Sequence, residues 1–290
     1  MERTLNSVAA QTARHEIEII FVDNNSTDGS PEAIKEWITR NPEISTRLLF
    51  ENKKGATAAR NKGLEAVKTP WVMFFDSDDE MLPNHICLIL KAMSETPDAD
   101  IIGWEINPQL PSGKRIKAQF TTLSPMQAHL VHAILATQRF AAKTELVRSA
   151  GGWDETVEGW NDYELGVRLL LKNPKMVKIH TDEPQVVTYF TENSITGRTF
   201  SDNPEKWEHS LDTIEKHLRP AAPEYLPWIA YRRAVLAADY KREGDSPNAS
   251  RLLSKAKESN PLLSTLVYLH HRFILRGAYL IARIGIKRTK

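Results

Sequence analysis

Five apolar residues in a row, Trp71-Val72-Met73-Phe74-Phe75, stop at a cluster of carboxylates, Asp76-Ser77-Asp78-Asp79. A run of aromatic and β-branched residues without polar alternation reads as a strand buried on both faces, and such strands belong to parallel sheets covered by helices. In open sheets of that kind, ligands sit outside the carboxyl ends of the strands, where Asp76, Asp78 and Asp79 fall. Three carboxylates within four residues repel one another unless something positive neutralises them. Hard divalent cations, held by one or two carboxylates plus substrate phosphates, are the usual partner. An acidic turn leading into the helix that starts at Pro83 accounts for the same residues without a ligand, so the neighbouring segments have to decide.

Those neighbours alternate. Ile17 to Val22 is a second buried-strand pattern, and it too ends on a carboxylate, Asp23. Asn24 to Ser30 is turn-forming, and Ser30-Pro31 caps a helix running to about Arg40. A short strand at Arg47 to Phe50 leads to Asn52-Lys53-Lys54-Gly55, a basic, glycine-bearing loop that opens a helix through Ala58, Leu64 and Val67. This alternation predicts an α/β fold with a mixed, mainly parallel sheet flanked by helices. After the acidic cluster come a helix to Ser94, a strand over 100–106, a hairpin excursion with Pro111-Ser112-Gly113 at its tip, and a helix over 124–136. The loop Gly151-Gly152-Trp153-Asp154-Glu155 precedes a helix opening at Asn161-Asp162, and two short strands close the portion. From about Asn203 only helical periodicity remains. The expected organisation is an α/β domain of residues 1–200 and a helical extension of residues 201–290.

A net charge of +1 over 290 residues argues against nucleic acid as the main partner. The single cysteine, Cys87, excludes an intrachain disulfide and reads as a small core residue. No apolar run approaches the roughly 18 residues of a membrane span. After Glu258 there is no acidic residue, while Arg272, Arg276, Arg283, Lys287, Arg288 and Lys290 lie among Leu269, Phe273 and Ile274. That combination suits a helix lying on an anionic membrane surface, and equally a packed helix with a solvated basic tail.

Taken together, the basic helix N-terminus with Lys54 and Arg60 suits a diphosphate, and Asp76 with Asp78 suits the metal it would carry. A further carboxylate such as Asp162 is placed to take a proton from an incoming hydroxyl. The specific blocks resemble family 2 glycosyltransferases: Glu18 to Ser30 their second-strand motif, Asn52 to Gly63 the next block, Phe75-Asp76-Ser77-Asp78-Asp79 the metal-binding Asp-x-Asp, and Gly151 to Glu155 with Asn161-Asp162 the acceptor loop and base region. The resemblance implies a GT-A-type fold and an inverting transfer from a nucleotide sugar, most naturally a UDP-sugar, to a glycan or lipid-linked glycan acceptor. By that analogy Asp23, Asn24, Arg60 and Asp76 lie at the nucleotide, Asp78 with Asp76 ligates Mn²⁺ or Mg²⁺, and Asp162 is the base. Trp153, Asp154, Trp160 and Asn161 would line the acceptor side. A bacterial enzyme of surface-glycan assembly is implied, cytoplasmic and in peripheral contact with the inner face of the membrane through its C-terminal helix.

Four departures accompany the matches. Family members usually begin with a strand ending in a Pro-x-Tyr-Asn-like turn; this chain starts after it, and the expectation is a truncated domain with an unpaired gap in the sheet. Asn24 stands where an Asp often accepts from the base, although its amide oxygen can still accept. Asn161 precedes the base where an acidic residue is common, and Thr191 stands where many relatives carry a histidine near the metal. A nucleotide-sugar or partner-binding remnant without activity is the alternative reading. A haloacid-dehalogenase-like phosphatase also uses Asp-x-Asp after an apolar strand, but would want Thr or Val where this chain has Glu80.

Overall fold

The computed structural model describes residues 1–189 and 199–274. They divide into two compact units, residues 1–123 with 134–189, and residues 124–133 with 199–274. In the first unit, α1 (Glu2–Ala9) precedes β1 (Glu18–Asp23), which pairs in parallel with β2 (Ser45–Phe50) along its whole length. The crossover between them is α2 (Ser30–Arg40); Pro31 lies in its first turn as expected, but Ser30 is already helical and the cap is Gly29, at φ +76°, one place earlier than the expected Ser30 cap. α3 (Ala56–Ala66) then leads to β3 (Trp71–Met73), the edge of a four-stranded sheet ordered β3, β7 (Phe140–Lys143), β5 (Ile101–Gly103), β8 (Met176–Lys178). A third sheet holds β4 (Glu80–Met81), β9 (Val186–Tyr189) and β6 (Asn107–Gln109).

Three of the described pairings are parallel and three antiparallel, because β7 runs against both of its neighbours and β4 against β9. The fold is therefore mixed α/β. The apolar run that starts at Trp71 pairs only as far as Met73. Phe74 leaves the ladder and meets Trp153 edge to face at 5.1 Å. The turn-rich excursion is a short hairpin, bridged at Gln109↔Arg115 and Ile106↔Ala118, with Gly113 in the left-handed region at its tip.

β1 pairs only with β2, and β3 only with β7, among the described residues. Between these edges lies an apolar cavity of about 520 Å³ lined by Leu5, Val8, Ile19, Phe21, Trp71 and Met73, among others. Cys87 corrects its expectation: it is exposed, because α4 (His85–Glu95) turns His85, Ile86 and Ile89 inward and position 87 falls on the other side. α6 (Thr144–Ser149) and α7 (Asn161–Leu170) complete this unit. Thr191 and the basic residues Arg276, Arg283, Lys287, Arg288 and Lys290 lie outside the described residues.

The second unit is helical. α9 (Leu226–Arg242) is its centre, touched by α5 (Pro125–His132), α8 (Pro204–Ala221), α10 (Ser246–Ser259) and α11 (Pro261–Ile274). Ala230, Ala234, Ala237 and Ala238 are all buried on it, and their small side chains let neighbouring helices approach closely. Asn203 and Asp245 cap α8 and α10 by accepting from the N–H groups of Lys206 and Asn248, at 3.2 and 3.1 Å. Arg233, only 4% exposed, is neutralised by Asp212 at 2.6 Å and Glu215 at 2.5 Å, as a buried guanidinium requires. On α11, Leu263, Ser264 and Val267 face inward, while Leu262, Leu266, Leu269 and Phe273 form an exposed apolar stripe.

Candidate active site

The carboxylates of the Asp76-Ser77-Asp78-Asp79 loop differ in their surroundings although they are adjacent in sequence. Asp76 is salt-bridged: its Oδ1 accepts from Arg60 Nη2 at 2.7 Å, and its Oδ2 accepts from Gln138 Nε2. Asp78 presents an exposed residue, yet the protein around its carboxyl still desolvates it, and with the nearby Asp76 charge this holds its pKa above the usual aspartate range. Asp79 is buried at 4% exposure, and burial pushes its carboxyl up to about 7 even though its Oδ1 accepts from Tyr189 N–H at 3.0 Å. α1 covers this loop: Thr4 Oγ1 donates to the Asp79 carbonyl at 2.7 Å, and Arg3 donates to the Asp78 carbonyl at 2.7 Å while lying over the Tyr189 ring.

Arg60 gathers the site. Placed by α3, it reaches Asp76 with one nitrogen and Asn161 Oδ1 with the other at 3.0 Å, and its guanidinium lies 4.4 Å above the Trp153 ring. One side chain therefore ties the acidic loop to the start of α7. The next residue, Asp162, accepts from Tyr163 N–H at 2.8 Å and from Thr137 N–H at 3.2 Å. Burial pushes its carboxyl above the ordinary range, against the opposing pull of Arg60. A carboxylate so raised is a stronger base than a solvated one and remains hydrogen-bonded in place.

The other expected site residues have different surroundings. Asp23 is 7% exposed, and Ser26 N–H donates to it at 3.4 Å. Asn24 spends both ends of its amide on the loop after β2: Nδ2 donates to the carbonyls of Glu51 and Lys53, and Oδ1 accepts from Gly55 N–H at 2.7 Å. The oxygen expected to serve a base is thus engaged in shaping the basic loop. Trp153, 2% exposed, lies under Arg60 and against Phe74, with no open ring face for a sugar. Asp154 forms a local turn with Thr156, and Trp160 packs edge to face on Tyr163 at 6.4 Å from a left-handed backbone conformation.

Three residues of this neighbourhood had no role in the sequence reading. Asn61, one place after Arg60, clamps the Gly151–Glu155 loop by donating to Trp153 O and Glu155 Oε1 and accepting from Trp153 N–H. Arg168 holds the same loop through the carbonyls of Ala150 and Gly152, and is itself fixed by two 2.6 Å bonds to the fully buried Glu164. Gln138 is the third. Asn61 sits inside a block with a recognisable pattern, whereas Arg168 and Gln138 carry no local signal and depend on contacts across the fold.

The model of Glycosyl transferase family 2 matches residues 1–143. TuaG of Bacillus subtilis, a glycosyltransferase named for teichuronic acid biosynthesis, is 37% identical over 95 residues, covering 33% of this chain and 37% of that protein. The chain spans 24% and 28% of the length of two further bacterial glycosyltransferases it matches. In structure it resembles residues 1–349 of TarS from S. aureus in complex with UDP, at a TM-score of 0.60 and 16% identity, covering 89% of this chain and 88% of that one. It also resembles the mannosyltransferase PcManGT from Pyrobaculum calidifontis in complex with GDP-Man and Mn²⁺, at a TM-score of 0.59 and 20% identity, covering 100% and 83%. At these identities the likeness is one of fold, and the fold is that of the GT-A glycosyltransferases.

Proposed function

Residues 1–143 belong to glycosyl transferase family 2, and on that premise we propose that this chain moves a sugar from a nucleotide-sugar donor, of the UDP class, to a hydroxyl of a growing bacterial surface glycan. The observation that carries the reading is the Arg60 bridge, which brings the Asp76 loop and the Asn161-Asp162 helix start to one place. Asp162 takes the proton of the acceptor hydroxyl as that oxygen bonds to the anomeric carbon, while the bond from that carbon to the diphosphate breaks on the opposite face. One displacement inverts the configuration. Half-buried and hydrogen-bonded by Thr137 and Tyr163, Asp162 is oriented before the acceptor arrives. Arg60 and the basic loop around Lys54 face the negative charge that accumulates on the departing nucleotide.

The donor set fits a hard divalent cation. Among the described residues no group of three His, Cys, Asp or Glu side chains forms a protein-only site. What is present is Asp78, held above its normal pKa beside the charged Asp76. Two neighbouring oxygen-donor carboxylates, the Asp76 charge helping to raise the Asp78 pKa, match the sites Mg²⁺ and Mn²⁺ use when diphosphate oxygens and water complete the shell. Asp78 and Asp76 would hold the ion. It would offset charge on the leaving diphosphate. The bound Mn²⁺ of PcManGT supports this reading.

On the acceptor side we place Asn161 and the loop carrying Asp154 and Trp160, with Trp153 supporting Arg60 from below. Asp23 and Asn24 lie on the nucleotide side, Asn24 acting through the loop it shapes. Residues 1–200 would form the transferase domain and residues 201–290 a helical extension whose α11 stripe, with the basic residues after it, contacts the cytoplasmic membrane surface.

The test is calorimetric titration with UDP, GDP and dTDP, with and without Mn²⁺. One nucleotide should bind with Mn²⁺, and Asp78→Ala should abolish the metal-dependent part. A folded protein that binds none of the three overturns the reading.

A further inference from the structure

Gln138 lies in the 3₁₀ turn Thr137–Arg139 immediately before β7. β3 and β7 pair antiparallel with Met73 opposite Ala141. Carried three residues beyond the end of the ladder, that register sets Asp76 opposite Gln138, and there the Gln138 amide donates to Asp76 Oδ2. The turn is itself held rigidly. The indole of Trp104, 3% exposed, donates to the Gln138 carbonyl at 2.7 Å. Arg139, 4% exposed, anchors the next position by donating to the carbonyls of Ala118 and Gln119. The residue on the other side, Thr137, gives its backbone N–H to Asp162 at 3.2 Å. Consecutive residues of one buried turn therefore reach both the acidic loop and the base.

We propose that Gln138 is a positioning residue, which fixes the Asp76 carboxylate for the diphosphate-bound cation and keeps it in register with Asp162. The proposal rests on the glycosyl-transfer reading above. Its logic lies in the choice of an amide. Asp76 already has one cationic partner in Arg60 at 2.7 Å, and a second cation at position 138 would cancel the charge that a metal needs. A neutral donor orients the carboxylate without removing its charge. Arg60 takes one oxygen and Gln138 the other, so the carboxylate plane is set from two sides, as preorganised sites require.

The experiment compares the wild type with Gln138→Met, which keeps the length of the side chain and deletes the donor. Each is titrated with UDP, GDP and dTDP, with and without Mn²⁺, and its thermal midpoint is recorded. The expected result is metal-free affinity within about twofold of wild type, an unchanged midpoint, and a Mn²⁺-dependent gain in affinity reduced roughly tenfold, the scale of one hydrogen bond to a charged group. A purely structural role would lower the midpoint and weaken binding with and without Mn²⁺ alike, and that outcome overturns the proposal. So does a variant that retains the full Mn²⁺ gain. If the wild type itself binds none of UDP, GDP and dTDP with Mn²⁺, the glycosyl-transfer reading fails and the proposal falls with it. A wild type that binds beside an unaffected Gln138→Met removes the proposal alone.

Discussion

Asp162 is held by two backbone N–H groups and lies within the electrostatic reach of Arg60 and Asp76. As the proposed base it must be ionised, and its pKa is raised, so transfer should fall on the acid side at a higher pH than for a solvated aspartate. Asp162→Asn should lower the transfer rate by roughly 10² to 10⁴, leave nucleotide affinity nearly unchanged, and abolish that acid limb. Loss of nucleotide binding in this variant would remove Asp162 from the role of base. Gly152 illustrates a different constraint. Its φ of +67° is one that other residues adopt at a cost, and a Cβ there would stand 2.8 Å from Asn61 Oδ1. Asn61 cannot retreat without releasing Trp153 N–H. Gly152→Ala should therefore cost about 2 kcal/mol in chemical denaturation and impair transfer by loosening the loop.

At the scale of elements, α11 has two faces with different destinations. Leu263, Ser264 and Val267 pack inward, whereas Leu262 and Phe273 are 72% and 70% exposed on the same stripe as Leu266 and Leu269. No helix among the described residues is long and apolar enough to cross a membrane; the contact proposed for this face is with a membrane surface. Wild-type protein should co-sediment with vesicles rich in phosphatidylglycerol, and salt should weaken the association. Leu266→Glu with Phe273→Glu should lower partitioning at least about tenfold, since each apolar side chain contributes roughly 1.5–3 kcal/mol when buried. Unchanged sedimentation would refute the surface contact. The acidic loop and the Gly151-Gly152 loop depend in the same way on elements far from them in sequence: α1 covers the first, and α3 with α7 clamps the second.

Across the whole molecule, the α/β unit contains a charge-sensitive point in its core. His85 is 1% exposed, meets Trp104 edge to face at 4.5 Å, and has no partner for Nε2 among the described residues. Burial pushes its pKa down to about 3, against 6.5 for a free histidine. The sign follows from linkage. The unfolded chain gains a proton as pH falls below 6.5 and the folded chain does not, so stability is present above 6.5 and is lost as pH falls from there toward about 3. His85→Leu should flatten denaturation midpoints over that interval, where the wild type should lose up to roughly 1.4 kcal/mol per pH unit. A parallel acid dependence in both proteins would assign the effect elsewhere. The sequence by itself determined the alternation of strands and helices, the placement of Asp23 at the carboxyl end of a strand and of Asp76 beyond one, and the match of residues 1–143 to a glycosyltransferase family model. Those properties reside in local hydrophobic period, turn chemistry and short motifs, which are legible along a chain. Only the tertiary structure decided that Gln138 faces Asp76, that Asn24 turns its amide onto the loop at Gly55, and that Trp153 is sealed beneath Arg60. Those outcomes depend on strand register and on packing between residues tens of positions apart, and no local pattern encodes them.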